Sequence, residues 1–161
     1  MAIDPRWLEV MQGKGLVGNI PARQKQSVKS NDAKPIEIEL PLPPTSNNLF
    51  PTGRNGKRFI SPEYREWKKV AADKLNNVQA WKGEYPVRIT IVVVRGKGWK
   101  ESSDIANREK ATVDSLVQNG IIEADDCLHV RPLVMDYDPT GSRKNPPYVR
   151  VRIERNNKVK P

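Results

Sequence analysis

Acidic side chains gather in one stretch, residues 103–126, of a chain that is otherwise basic. Asp104 begins this stretch, and Asp125 and Asp126 end it as an adjacent pair. Mg²⁺ takes oxygen ligands in proteins, usually a few carboxylates together with waters and substrate phosphates. A divalent cation held there could polarise a phosphodiester and lower the pKa of an attacking water. The stretch therefore predicts metal-dependent phosphate chemistry, provided that the fold brings these acids together.

Lys110 is the cation best placed to take part. It follows Asp104 by about two turns of a predicted helix, on the same polar side. There it could offset the charge of a scissile phosphate or orient the attacking water. The plainer alternatives are that Asp104 only caps the helix, that the acid pair only makes a turn, and that Lys110 is a solvated residue.

The remaining metal-binding residue types are scarce. His129 is the only histidine and Cys127 the only cysteine. We expect His129 to be structural and Cys127 to be a small buried residue. Without a cluster of His and Cys, a zinc site is not expected.

Composition limits the class of protein. A chain of 161 residues predicts one domain with a real core. Lys and Arg number 28 against 19 Asp and Glu, a net charge of +9, which favours a polyanionic partner and above all a nucleic acid. The single cysteine fits a reducing compartment. No apolar run approaches the ~20 residues of a membrane helix, so we expect no membrane partner. We also expect a soluble, cytoplasmic protein without a small-molecule cofactor.

The elements that must position the acids alternate between strand and helix. The order is β, loop, α, β, α, β, β, which predicts one α/β (α+β) domain with a mixed sheet of about four strands and two main helices. Predicted strands lie at 35–42, 86–95, 128–135 and 148–153, and predicted helices run from 61 to about 78 and from about 104 to 119. The run of Ile and Val in 86–95 predicts a central strand. Residues 137–147 are predicted to join the last two strands as a hairpin loop.

Helix ends and faces are also predicted. Ser61 before Pro62 is a good N-cap, and the first helix should bury a stripe that includes Val70. Ser103 is the expected N-cap of the second helix, and Asn119 with Gly120 is its expected end.

Two loops carry cations beside glycines, which let a backbone approach phosphates closely. The first, 54–58, is predicted to be a hairpin with a tight turn at Asn55–Gly56. The second, 95–100, contains Trp99, which could stack on a base but is favoured as an anchor for the loop. The predicted DNA-contacting residues are those of the two loops and of the start of the second helix: Arg54, Lys57, Arg58, Arg95, Lys97, Lys100, Asn107 and Arg108.

The run Asp104-Ile-Ala-Asn107-Arg-Glu-Lys110, followed by Asp114, Gly120 and the acid pair, resembles the signature of the RusA-type Holliday-junction resolvases of bacteria and their phages. The earlier LPLPPTSNNLF resembles the Pro-Pro-Ser-x-Asn segment that follows the first strand in that family. The resemblance covers roughly 35–154. It implies a basic N-terminal extension at 1–34, a nuclease domain at 35–155 and a C-terminal tail at 156–161.

The resemblance also implies an activity. These proteins are homodimers that bind four-way DNA junctions and resolve them, in recombination and repair, by paired nicks that depend on Mg²⁺, with Mn²⁺ as a possible substitute. Carried over by position, Asp104 and Asp126 would be metal ligands, Asp125 a ligand or a close neighbour, and Lys110 the catalytic lysine.

One position departs from the family pattern. The second acid of the pattern, two residues after the first, falls on Ala106, and a methyl group cannot ligate a metal. Three explanations are open: an engineered inactive variant, which we favour; a natural member that has lost cleavage; or a member that uses another acid, such as Glu109 or Asp114. We therefore expect junction binding with little or no cutting.

Two other functions compete with the endonuclease. One is a naturally inactive protein of the same fold that binds DNA or regulates a phage process. The other is a basic RNA-binding domain with an incidental cluster of acids.

Overall fold

The computed structural model describes residues 33–156. In chain order the elements are β1 (Ile36–Pro41), α1 (Ser46–Leu49), α2 (Pro62–Leu75), β2 (Val87–Val94), a 3₁₀ helix (Ala106–Arg108), α3 (Glu109–Gln118), β3 (Val130–Asp138) and β4 (Tyr148–Arg155). The predicted α+β domain with one mixed four-stranded sheet is confirmed. The predicted extension and tail fall almost wholly outside the described residues. Among residues 33–156, no helix has the length and apolar character needed to cross a membrane.

β2 is the central strand, as its sequence predicts. It pairs in parallel with β3 on one side and antiparallel with β4 on the other. Its alternate residues Val87, Ile89, Ile91 and Val93 are fully buried. An apolar run of β-branched residues suits such a position because strands on both sides and helices on one face remove it from water.

The predicted hairpin between the last two strands is wrong. The sheet order is β1-β4-β2-β3, so β2 lies between β3 and β4. β3 is the second strand of a β–α–β crossover and takes one edge of β2, while β4 takes the other edge and pairs with β1. The loop 139–147 must therefore cross the end of β2.

α2 begins where the sequence predicts. The Ser61 hydroxyl accepts a hydrogen bond from the Tyr64 backbone N–H at 3.1 Å, with Pro62 in the first helical position. The helix ends at Leu75, earlier than predicted, with Asn76 as its C-cap. Val70 is 41 % exposed, so its predicted place in the buried stripe is wrong. The buried side chains of the helix are Tyr64, Trp67, Ala71 and Leu75, so the stripe passes through Ala71 and leaves Val70 outside it.

The second predicted helix starts later than expected. Its first turn is the 3₁₀ helix, and α3 follows from Glu109. Ser103 is not its N-cap, because the Asp104 carboxylate accepts the backbone N–H of Ala106 instead. The predicted end is confirmed: Asn119 is the C-cap and Gly120 has φ of +70°, a conformation that favours glycine.

Candidate active site

Asp104 lies at the entrance to the 3₁₀ helix with both carboxylate oxygens engaged. Oδ1 accepts the Ala106 backbone N–H at 2.9 Å, and Oδ2 accepts the Asn107 side-chain amide at 2.8 Å. The residue is exposed. Such bonds occupy one lone pair on each oxygen and leave the others directed to solvent, where a cation could reach them.

The two carboxylates of the acid pair differ in their contacts within residues 33–156. Asp126 Oδ1 accepts the backbone N–H groups of Leu128 at 2.9 Å and His129 at 3.1 Å, and it lies 2.7 Å from His129 Nδ1. The bond to His129 is the largest of the interactions that lower the pKa of Asp126. Asp125 is exposed and makes no hydrogen bond or ion pair with the rest of residues 33–156.

The turn after α3 folds back onto the start of that helix. A cleft of about 130 Å³ lies between α3 and β3, and its polar lining consists of Glu109, Lys110, Asp114 and Asp125. Lys110 Nζ is 3.3 Å from Asp114 Oδ1. The fold thus brings Lys110 and Asp125 to one cleft, whereas Asp104 and Asp126, which the sequence predicts to lie near Asp125 in one site, do not line it.

The carboxylates of Asp104, Asp125 and Asp126 supply oxygen ligands, the type that a hard divalent cation prefers. Mg²⁺ is usually held by one or two carboxylates and completed by waters and substrate phosphates, so oxygen ligands on separate elements fit it. Within the part of the chain that the structure describes, no group of three or more His, Cys, Asp or Glu side chains converges as a metal cage. A cation would therefore rely on DNA oxygens or on movement of the side chains to complete its shell.

Position 106 lies next to Asp104. Its backbone N–H makes the bond to Oδ1 just described, and the residue is exposed. A larger side chain would extend into solvent, so an aspartate at this position is compatible with the fold.

The first basic loop stands out from the domain. Residues 54–60 are all exposed. Thr52 and Arg58 form an antiparallel bridge, and Gly56 has φ of +75°, which confirms the predicted hairpin and turn. The exposed cations are Arg54, Lys57 and Arg58, the last of which donates from Nε to the Phe50 carbonyl at 3.2 Å.

The second basic loop is anchored by its tryptophan. Trp99 stacks on Tyr137 with ring centroids 5.9 Å apart, in agreement with the anchoring role. Arg95 turns toward the protein, donating to the Gly141 carbonyl and lying 3.9 Å from Glu101. Lys97 and Lys100 are exposed.

Asn107 and Arg108, both predicted to contact DNA, form hydrogen bonds with other parts of the protein. Arg108 Nη1 donates to the Pro43 carbonyl, and its buried Nε has no hydrogen-bond partner among residues 33–156. Burial lowers the pKa of Arg108, and Glu63 opposes the shift. Asn107 lies between Asp104 and Ser46, whose hydroxyl is 2.8 Å from Asn107 Oδ1. Sequence reasoning gave Ser46 no role, although the PPTSNN segment is part of the resemblance.

The segment after the acid pair has a structural role. The His129 ring packs edge-on against Tyr85, 4.9 Å between centroids, as expected for a structural histidine. Burial is the main cause that raises the pKa of Tyr85, whose hydroxyl accepts the Glu123 backbone N–H at 3.0 Å. The prediction that Cys127 is buried is wrong, because it lies exposed in the turn held by Asp126.

A basic α+β domain with acids and a lysine at one edge of the sheet fits a class of proteins that act on nucleic acid phosphates. The family model of the endodeoxyribonuclease RusA matches residues 41–154. The chain therefore belongs to the RusA family of Holliday-junction resolvases, which are endodeoxyribonucleases. That membership supports nuclease activity on DNA and a place in recombination. No curated protein is similar enough to this chain to count as a match.

Proposed function

We propose that this protein binds four-way DNA junctions and carries the remains of a Mg²⁺-dependent cutting site centred on residues 104–126. The observation that carries the proposal is the cleft in which Lys110, Asp114 and Asp125 meet. Helix α3 supplies the lysine and one acid, and the turn that follows supplies the other. Family membership supplies the DNA substrate.

Three acids are the proposed ligands of a divalent cation. Asp104, Asp125 and Asp126 would hold it, and Mn²⁺ should substitute for Mg²⁺. When bound, such an ion polarises the phosphate and activates water. Asp125 is the acid most available for direct ligation because its carboxylate has no partner within residues 33–156. Lys110, beside Asp114 in the same cleft, would stabilise the negative charge that builds up on the phosphate.

The cutting site lacks one acid. Ala106 adjoins Asp104 at the position where the family pattern has a second aspartate. With a methyl group there, the chain should bind junctions and cut poorly or not at all. Glu109 and Asp114 line the neighbouring cleft, so they are the acids that could compensate.

The two basic loops would hold the arms of the DNA. Arg54, Lys57, Lys97 and Lys100 extend into solvent, where they can neutralise phosphates. A homodimer would present two such sites to one junction and so allow nicks on opposing strands. Such a protein would act in the cytoplasm of a bacterium, whether encoded by the host or by a phage.

The test is a gel assay on an end-labelled four-way junction. The chain itself should bind the junction and leave it uncut, with or without Mg²⁺. Ala106→Asp should cut it only when Mg²⁺ or Mn²⁺ is present. If Ala106→Asp binds the junction but leaves it intact with either ion, the proposed cutting site is wrong.

The naturally inactive DNA-binding protein is the second candidate, and Ala106 is the observation that favours it. Its distinguishing outcome is tight, selective junction binding together with an Ala106→Asp variant that stays inactive. Equal affinity for a junction and for duplex RNA of the same length, at fixed salt, would count against both and favour RNA binding.

A further inference from the structure

The segment before α2 is bonded directly to the start of the acidic stretch. α1 follows Pro43 and Pro44, and its Leu49 is fully buried. From this anchored segment, the Pro43 carbonyl accepts a hydrogen bond from Arg108 Nη1. The Ser46 hydroxyl oxygen lies 2.8 Å from Asn107 Oδ1. Ser46 and Asn107 are 61 positions apart in the sequence, so this contact is purely tertiary.

The chemistry of the three side chains fixes the direction of each hydrogen bond. An ionised carboxylate can only accept, so the Asn107 NH₂ group must face Asp104 Oδ2, at 2.8 Å. The amide oxygen then faces Ser46, and the serine hydroxyl must donate to it. The result is a one-way chain from Ser46 through Asn107 to Asp104.

We propose that Ser46 is a positioning residue, which sets the orientation of the Asp104 carboxylate through Asn107. The inference rests on the proposed role of Asp104 as a metal ligand. The terminal torsion of an aspartate is broad and roughly two-fold, so the single bond from Ala106 leaves the second oxygen free to swing. Asn107 holds that oxygen, and Ser46 prevents the Asn107 amide from turning over. Partners of this kind orient metal ligands, and their loss typically weakens metal binding ~10- to 100-fold.

The surroundings make Ser46 suitable for substitution. Leu49 anchors α1 in the core, and the Asn48 backbone N–H donates to the Thr45 carbonyl at 2.8 Å without using the serine side chain. Ser46→Ala should therefore keep the segment in place. Ser46→Thr retains the hydroxyl and should restore function. Asn48, an exposed residue of the same helix outside the Pro-Pro-Ser-x-Asn pattern, provides a matched control as Asn48→Ala.

The experiment is a Mn²⁺ titration, followed by electron paramagnetic resonance, of the full chain with and without Ala106→Asp. We expect Ser46→Ala to weaken Mn²⁺ binding ~10- to 100-fold, with Ser46→Thr and Asn48→Ala close to the parent. Asn107→Ala removes the middle member of the same chain of bonds and should give a similar loss. Because Ser46 acts through Asn107, the double variant Ser46→Ala/Asn107→Ala should lose no more than Asn107→Ala alone.

Three results would overturn the proposal, and they separate it from the proposed function. If Asp104→Asn loses Mn²⁺ binding while Ser46→Ala retains it, only the positioning role fails. If the losses from Ser46→Ala and Asn107→Ala add, Ser46 acts by another route. If Asp104→Asn binds Mn²⁺ as the parent does, both the ligand role and the positioning role fail. Junction affinity in metal-free buffer should be the same for all these variants, which separates metal binding from DNA binding.

Discussion

At the scale of single residues, the acids of the stretch 103–126 differ in what already holds them. Asp104 and Asp126 accept several hydrogen bonds from their own turns, whereas Asp125 has no partner within residues 33–156. In the proposed metal site, the first two would therefore be oriented in advance, and the third could adjust to the ion. Lys110 adds a positive charge that is 56 % exposed, so substrate can reach it.

Lys110 is expected to act on the rate of cutting more than on DNA affinity. In the Ala106→Asp protein, Lys110→Ala should slow single-turnover cleavage by about 100-fold, because it removes a cation placed to stabilise charge in the transition state. The control is Lys74→Ala, which removes an exposed lysine from the last turn of α2. Cleavage that slows equally in both variants would mean that only overall charge matters.

At the scale of elements, the loop 139–147 crosses the end of β2 because β3 and β4 pair with opposite edges of that strand. A Cβ atom on Gly96 would lie 2.1 Å from the Pro147 backbone nitrogen, and one on Gly141 would lie 2.2 Å from the Arg95 carbonyl oxygen. Backbone packs on backbone at both points. These contacts pack the loop 139–147 against the start of the second basic loop.

Gly96→Ala should therefore destabilise the fold. The methyl group would force two backbone segments apart, at a cost of about 1–3 kcal/mol in the free energy of unfolding. Gly53→Ala is the matched control, because its new Cβ would come no closer to another atom than 3.2 Å, from the Asn55 side chain of the exposed hairpin. Urea denaturation monitored by tryptophan fluorescence measures both. Equal stability of the two variants would show that the loop shifts without cost.

At the scale of the whole molecule, the charged side chains of residues 33–156 are unevenly distributed. The sheet face opposite the buried side chains carries many paired charges. Arg152 lies 2.6 Å from Glu37 and 2.9 Å from Glu154, and Arg150 lies 3.2 Å from Asp138. The loop cations, by contrast, extend into solvent. DNA should therefore meet the loops and avoid the sheet face.

The salt dependence of junction binding tests this distribution. Each phosphate contact contributes ~0.9 to the slope of log affinity against log salt concentration on B-form DNA. Arg54→Ala and Lys57→Ala should each reduce the slope by about 1, because each removes one cation from a phosphate. Arg152→Ala should leave it unchanged, since that guanidinium is already neutralised by Glu37 and Glu154. An equal reduction in all three variants would place DNA on the sheet face as well.

The sequence by itself determined what depends on neighbours along the chain. Ile and Val in 86–95 define a buried central strand, Ser61 and Pro62 begin a helix, and Gly120 ends one, because period, capping and backbone conformation are local properties. The residue pattern from Asp104 to the acid pair also sufficed to predict the family that the family model then matched.

Only the tertiary structure decided which distant groups meet. It placed β4 between β1 and β2, turned Arg108 inward and left Cys127 exposed. It also put Asp125 in a cleft with Lys110 and joined Ser46 to Asn107. Strand order and side-chain contacts between segments depend on how buried surfaces pack in three dimensions, and no local pattern encodes that packing.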